Sequence, residues 1–180
     1  MKLKITVMFV VLSAVFLFFV FKGGYFSSNT GAPAKATGQA MTSAQYLEKL
    51  KSFSLLDYHG KKLTLDSEQI SAGNKIVLHL WASWCSPCVN EVPELVKFAK
   101  ENSQVKYVIV SLDDNQEDMV KCLKSFPEFD AEPFIRIWDK NHEISKLVNA
   151  DRLPMTMILT PDKPEPKIIN SVTDWKTIKI

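Results

Sequence analysis

Cysteine and histidine are scarce in this chain. Three cysteines in 180 residues are too few for the disulfide framework of a small cysteine-dense domain. The three histidines, His59, His79 and His142, stand singly. Neither they nor Cys122 supply the second Cys-x-x-Cys or histidine pair that a structural zinc site would need beside Cys85 and Cys88. An excess of basic charge is missing too. The formal net charge is +2, but Lys2, Lys4 and Lys22 account for three of the 22 basic residues, which leaves 19 basic against 20 acidic side chains beyond residue 22. Without a basic stripe or patch, no nucleic-acid partner is expected. Internal repeats are absent as well, and 180 residues leave room for one domain with an appendage.

The appendage is marked by the absence of charge. Ile5 to Phe21 is a run of seventeen residues in which only Thr6 and Ser13 are polar. That length sits at the short edge of a membrane-spanning helix and the long edge of a signal-peptide core. The nearest small-x-small cleavage candidate, Ala32-Pro33-Ala34, lies far past the apolar core, and no cysteine is there to carry a lipid. An uncleaved anchor is therefore expected over a removed signal peptide. Lys2 and Lys4 favour an inside N-terminus, which puts the remainder across the membrane. Gly23 to Ala40, rich in Gly, Ala, Ser and Thr, reads as a flexible tether. The expected division is a signal anchor over 1–22, a linker over 23–45 and one globular domain over 46–180.

What the chain does have is Trp84-Cys85-Ser86-Pro87-Cys88. Before it, Lys75 to Ala82 reads as a buried strand; after it, Val89 to Lys100 reads as a helix. A Cys-x-x-Cys at a helix N-terminus is where thiols become acidic and reactive. The terminal N–H groups and the helix dipole stabilise a thiolate at Cys85, and Cys88, about one turn on, is placed to close a disulfide or resolve a mixed one. A redox dithiol is favoured over metal binding and over an inert cross-link. Pro87, near the first helical turn, sacrifices no needed N–H, while Pro93 should kink the helix. Trp81 and Trp84 read as walls of the site. Glu91 follows Cys88 by three residues and so lies on the same face of the helix, although a solvated surface carboxylate is its bland alternative.

The remaining elements read from pattern. Thr42-x-x-Gln45 forms a candidate capping box for a short helix through Lys51. Phe53 to Tyr58 and Lys62 to Leu65 look like strands around a His59-Gly60 turn, and Asp66 or Ser67 caps a helical turn. Val105 to Ser111 is a β-branched strand. Asn115 to Phe126 carries a helical apolar stripe, with Cys122 beside it as a small core residue rather than a third redox player. Phe134 to Trp138 is a strand, and His142 reads as a solvated turn residue before a helix over Glu143 to Asn149. Met155 to Leu159 and Lys167 to Asn170 are the last strands. Alternating strands and helices imply an α/β sheet, partly parallel.

The run from Val77 through Cys85-Ser86-Pro87-Cys88-Val89-Asn90-Glu91-Val92-Pro93 resembles the membrane-anchored, thioredoxin-like TlpA/ResA group of bacteria. The likeness covers about Phe53 to Trp175 and takes in Asp113-Asp114 and Leu153-Pro154. The resemblance implies a thioredoxin-like fold: a central mixed β-sheet flanked by helices, an N-terminal β-hairpin and a single N-terminal transmembrane anchor. It implies that Cys85 attacks and Cys88 resolves, that Glu91 tunes their proton transfers, and that Pro154 is the cis-proline whose loop, with Leu153, meets the disulfide and the substrate chain. It implies client protein disulfides as substrates, in cytochrome c maturation or metal-centre assembly. A membrane electron-donor protein would re-reduce the pair, and the domain would face the periplasm or cell exterior from the bacterial cytoplasmic membrane. No bound cofactor and no metal are expected.

Two departures stand out. Thioredoxin has a buried aspartate six residues before its first cysteine; here that position is His79, where the TlpA/ResA-like chains often have asparagine. His79 reads as a hydrogen-bonded core residue, with a proton relay or a third soft-metal ligand as its alternatives. There is also little room after Trp175 for the fold's long C-terminal helix, so one sheet face is expected either to be thinly covered or to be covered by another surface. The alternatives to a reductant are a disulfide-forming oxidase, a copper-handling protein using Cys85, Cys88 and His79, and a redox-dead adaptor.

Overall fold

A computed structural model describes residues 41–66, 69–71, 73–130 and 133–180. The proposed anchor and the tether through residue 40 lie outside the described residues. Among those described, no helix is long and apolar enough to cross a membrane.

The chain enters through α1 (Ser43–Ser52), opened by the capping box: Gln45 N donates to Thr42 Oγ1 at 3.3 Å, and Thr42 N donates back to Gln45 Oε1 at 2.8 Å. The hairpin β1 (Leu55–Asp57) and β2 (Lys62–Leu63) follows, turning at Gly60, whose φ of 77° favours glycine. Strand β3 (Ile76–Trp81) is buried at every position. The alternation is then α2 (Ser86–Glu101), β4 (Lys106–Ser111), α3 (Gln116–Leu123), a 3₁₀ turn (Pro127–Asp130), β5 (Phe134–Trp138), α4 (Glu143–Leu147), β6 (Met155–Thr160) and β7 (Lys163–Ile169). Sheet order is β2-β1-β5-β4-β3-β6-β7, with β3, β4 and β5 parallel and the outer pairings antiparallel. This is the thioredoxin-like α/β architecture with a central mixed sheet and an N-terminal β-hairpin.

Side chains alternate across the sheet, so β3 feeds two cores. Val77 and Trp81 join α2, α3 and the two cysteines on one face; Ile76, Leu78 and Leu80 join α1 and α4 on the other. His79 belongs to the first face by the same alternation. The apolar load of β3 and β4 suits central strands buried on both sides.

Two expectations are corrected. The last strand starts at Lys163 rather than Lys167 and contains Pro164 and Pro166; β7 is an edge strand, where a missing donor is tolerated. The α2 face is also not thinly covered. The segment 171–180 has no regular helix, yet Trp175 is buried against that core, with Ile178 and Ile180 packed on it.

Candidate active site

The site begins where β3 ends. Ala82 to Trp84 turn the chain, and Cys85 becomes the N-cap of α2: its Sγ accepts the Cys88 N–H at 3.3 Å, and its carbonyl accepts the Val89 N–H. Cys85 and Cys88 form a disulfide, with Cα atoms 5.2 Å apart. Cys85 is 6% exposed and Cys88 fully buried, so the first sulfur is the one a partner reaches. Pro87 sits in the first turn, where its absent N–H costs nothing. Pro93 lies inside a helix that runs unbroken to Glu101.

A buried carboxylate fixes the turn before Cys85. Asp113, past β4, accepts the backbone N–H of Ser83 at 3.1 Å and the Ser83 hydroxyl, and its Oδ2 accepts the Ser111 hydroxyl at 2.7 Å. Trp81 is a core residue and not a wall of the site: it is 1% exposed, stacks on Phe129 and donates its indole N–H to Tyr58 Oη at 2.9 Å. Trp84 alone presents an exposed ring beside the cysteines, 66% accessible.

The Leu153–Pro154 bond is cis. Met155 pairs with Leu80 in the antiparallel β6–β3 ladder, so the Leu153-Pro154 loop sits at the end of the sheet from which the cysteine turn leaves. Leu153 packs against the cluster that holds both cysteines. The structure therefore gathers Cys85, Cys88, Trp84, Pro87 and the Leu153-Pro154 loop at one edge.

Glu91 and His79 meet on the inner side of α2. Glu91 is 4% exposed, not a surface carboxylate, and its Oε1 faces His79 Nε2 at 3.3 Å. Burial pushes the Glu91 carboxyl up to about 7, against the Thr173 N–H, which donates to Oε2 at 2.9 Å and lowers it. Burial pulls His79 down to about 3, so the imidazole is neutral at physiological pH. Its Nδ1 lies 3.0 Å from Thr156 Oγ1. Through Nδ1 His79 is a hydrogen-bonded core residue, while Glu91 Oε1 beside Nε2 is buried without a hydrogen-bond partner. Among the described residues, with Cys85 and Cys88 joined in a disulfide, no group of three His, Cys, Asp or Glu side chains is placed to hold a metal ion. Cys122 is half-buried against the α2 core, and burial followed by Asp113 pushes its thiol up.

Sequence reasoning missed Thr156 and Thr173. Thr156 had a signal, a polar residue in the buried run Met155 to Leu159. Thr173 had none, because its contact spans 82 positions.

A thioredoxin-like sheet with a dithiol at a helix N-cap and a cis-proline loop at the same edge defines a class, the thioredoxin-like redox proteins. The Redoxin family matches residues 36–163, and the chain belongs to that family, as a TlpA/ResA-like member. It is 32% identical over 101 residues to sporulation thiol-disulfide oxidoreductase A of Bacillus subtilis, covering 53% of this chain and 61% of that protein. It is 28% identical over 127 residues to the thiol-disulfide oxidoreductase ResA of Bacillus thuringiensis, covering 70% and 68%. The chain thus spans about three-fifths to two-thirds of the length of these relatives. Among solved structures, a secreted Mycobacterium tuberculosis disulfide oxidoreductase homologous to Escherichia coli DsbE superposes with a TM-score of 0.60 at 21% identity, covering 72% of this chain and 92% of that one. StoA from Bacillus subtilis gives 0.53 at 24% identity, covering 69% and 90%. At these identities the structural likeness speaks to the fold.

Proposed function

We propose that this chain is a membrane-anchored thiol–disulfide oxidoreductase that reduces disulfides of client proteins outside the cytoplasmic membrane of a bacterium. One observation carries the reading: Cys85 stands at the N-cap of α2, joined to a buried Cys88, with the helix N–H of Cys88 aimed at the outer sulfur. After reduction, that N–H and the helix dipole stabilise the Cys85 thiolate. The thiolate attacks a client disulfide; one Cys85–client bond forms, and one client sulfur leaves and takes a proton. Cys88 then loses its proton and attacks Cys85 Sγ. The Cys85–client bond breaks, the client leaves with both cysteines reduced, and Cys85–Cys88 is closed. Glu91, one turn from Cys88 and held near neutrality, is the group placed to take the Cys88 proton. Two electrons and two protons from a membrane electron-donor protein restore the dithiol. Trp84 and the Leu153-Pro154 loop form the surface on which the client chain lies.

The uncharged run Ile5 to Phe21 behind Lys2 and Lys4 supports the anchor and the outward orientation. The Cys-x-Pro-Cys-x-x-Glu-x-Pro pattern supports cytochrome c maturation or metal-centre assembly as the setting. The test is trapping. Cys88→Ala should accumulate reducible mixed disulfides through Cys85 with a defined client, and their absence would count against catalysis. The reduction potential of the pair fixes direction: about −270 mV places it with the reductants, about −120 mV with the disulfide-forming oxidases.

A further inference from the structure

Four buried residues from four segments close a ring behind the dithiol. Glu91 Oε1 on α2 lies 3.3 Å from His79 Nε2 on β3. His79 Nδ1 lies 3.0 Å from Thr156 Oγ1, the residue directly opposite on β6. Thr156 Oγ1 lies 2.9 Å from Thr173 Oγ1. The Thr173 backbone N–H closes the ring on Glu91 Oε2 at 2.9 Å. None of the four is more than 4% exposed, and Glu91 Oε1, 3.3 Å from Nε2, is buried with no hydrogen-bond partner as placed, so a proton held between it and Nε2 is what would satisfy it inside the ring.

A neutral imidazole carries one N–H, and a hydroxyl donates one hydrogen while accepting others. Two arrangements then satisfy every contact. In the first, protonated Glu91 donates from Oε1 to Nε2, Nδ1–H donates to Thr156, and Thr156 donates to Thr173. In the second, Glu91 is a carboxylate, Nε2–H donates to Oε1, Thr156 donates to Nδ1, and Thr173 donates to Thr156. The arrangements differ by one proton, and His79 is neutral in both. A proton placed on Oε2 instead would share that oxygen with the Thr173 N–H and find no acceptor within the ring. A bare Nε2 facing a bare Oε1 would bury two unpaired acceptors against each other.

We infer that His79 is a positioning residue that changes tautomer as Glu91 gains and loses the proton it exchanges with Cys88, so that the carboxyl keeps a hydrogen-bond partner in both states while the imidazole stays uncharged. The inference deepens the reading above, and its catalytic half rests on it. When Cys88 attacks Cys85 and the Cys85–client bond breaks, the ring gains the one proton that Cys88 loses. The end states before and after that gain are the second arrangement and the first. They differ in the imidazole nitrogen that bears the hydrogen (Nε2, then Nδ1), in the proton on Oε1 and in the direction of the two threonine hydroxyls. The tautomers re-equilibrate by proton exchange rather than by direct transfer across the imidazole.

The surroundings are consistent with a neutral histidine. Burial alone lowers His79, and only burial and the Thr173 amide act on Glu91. No other charged residue lies on β3 or β6. Cys88 is the titratable neighbour on α2. Further along α2 and in the C-terminal segment, Glu94 pairs with Lys176 at 3.1 Å, and Asp174 is exposed. The remaining neighbour is the Trp175 ring, 5.9 Å from the imidazole.

The test is the ¹⁵N spectrum of the imidazoles in the oxidised full-length chain, followed from pH 5 to 9 in mild detergent. His59→Gln and His142→Gln identify the other two histidines without disturbing the ring. His79 should remain neutral throughout, with its hydrogen on Nδ1 at low pH and on Nε2 at high pH, and a midpoint near 7 set by Glu91. In Glu91→Gln the exchange of tautomers should disappear. An imidazolium signal from His79 within that range, or a single tautomer from end to end in the unmutated chain, overturns the inference. The titration needs no client and no turnover. A failed trapping experiment therefore sinks the oxidoreductase reading without touching the tautomer result, and the reverse also holds.

Discussion

The Thr173 backbone N–H donates to Glu91 Oε2 at 2.9 Å, joining the C-terminal segment to α2 across 82 positions of chain. The bond sets a carboxyl that would otherwise face an apolar core. It also sets the segment, because Trp175 follows two residues later and is buried beside Phe98, ring centroids 5.3 Å apart. Covering the α2 face and burying the acid are therefore one structural event.

The buried pair should make the stability of the unmutated chain insensitive to pH where its variants are not. Between the ordinary values of 4.5 for the carboxyl and 6.5 for the imidazole, the unfolded chain holds Glu91 ionised and His79 protonated. The folded chain, with Glu91 raised to about 7 and His79 lowered to about 3, holds the reverse. Each state binds one proton, so the pair contributes no slope in that window. In Glu91→Gln only the depressed histidine remains, the unfolded state binds more protons, and stability should rise with pH from about 3 to 6.5. In His79→Gln only the raised carboxyl remains, the folded state binds more, and stability should fall as pH rises from 4.5 to about 7. Each slope should approach about 1.4 kcal/mol per pH unit at its steepest. Urea denaturation across pH 4 to 8 reads all three; parallel curves would show that the groups do not titrate as a buried pair.

Trp175→Ala should separate packing from proton control. Truncating a buried tryptophan costs about 3–5 kcal/mol, here through the lost contacts with Phe98 and His79. Opening the segment also lets water reach Glu91, whose raised value comes first from burial. The carboxyl midpoint, followed by infrared or NMR titration, should drop toward 4.5. A variant that loses stability but keeps its midpoint near 7 would show that α2 and β3 alone desolvate the acid.

The order of elements was legible because the periodicities were strong: a six-residue buried strand, β3, feeds a sixteen-residue amphipathic helix, α2, through the cysteine turn. The dithiol and the candidate cis-proline carried local signals. The departures arose where tertiary context decides. Pro164 and Pro166 argue against a strand unless β7 is known to be an edge. Trp175 covers a face without forming a helix, so no periodicity announces it. His79 was legible as an oddity, but its meaning depends on Thr156 across the ladder and Thr173 from the tail, and neither pairing is written in spacing along the chain.

Asp113 should tie fold stability to the reactivity of Cys85. Its carboxylate holds Ser83 by both backbone and side chain, two residues before the N-cap cysteine. Asp113→Asn replaces an acceptor by a donor facing Ser83 and Ser111, and losing a hydrogen bond to a charged group costs about 1.5–3 kcal/mol. The alkylation rate of Cys85 in the reduced, folded protein should fall as the turn loosens. Ser111→Ala, which keeps the Ser83 contacts, should leave that rate unchanged. Equal rates in all three proteins would confine Asp113 to stability.

The three cysteines should react in a fixed order once the disulfide is reduced. Cys85 is the outer sulfur, at a helix N-cap, with the Cys88 N–H directed at it. Such an environment lowers a thiol's pKa and multiplies its thiolate fraction at neutral pH. Cys88 is fully buried, and its attack is directed inward at Cys85 rather than at reagents in solution. Cys122 is half-buried, and burial and the nearby Asp113 raise its pKa. Iodoacetamide at pH 7, followed by mass spectrometry of the peptides, should therefore label Cys85 at least tenfold faster than either other thiol. The Cys85 rate should fall by clearly less than tenfold as pH drops from 7 to 6, because a thiol of lowered pKa keeps part of its thiolate there. A rate that drops tenfold over that unit, or equal labelling of Cys122, would mean that the N-cap does not activate the thiol and that the first attack on a client disulfide lacks its nucleophile.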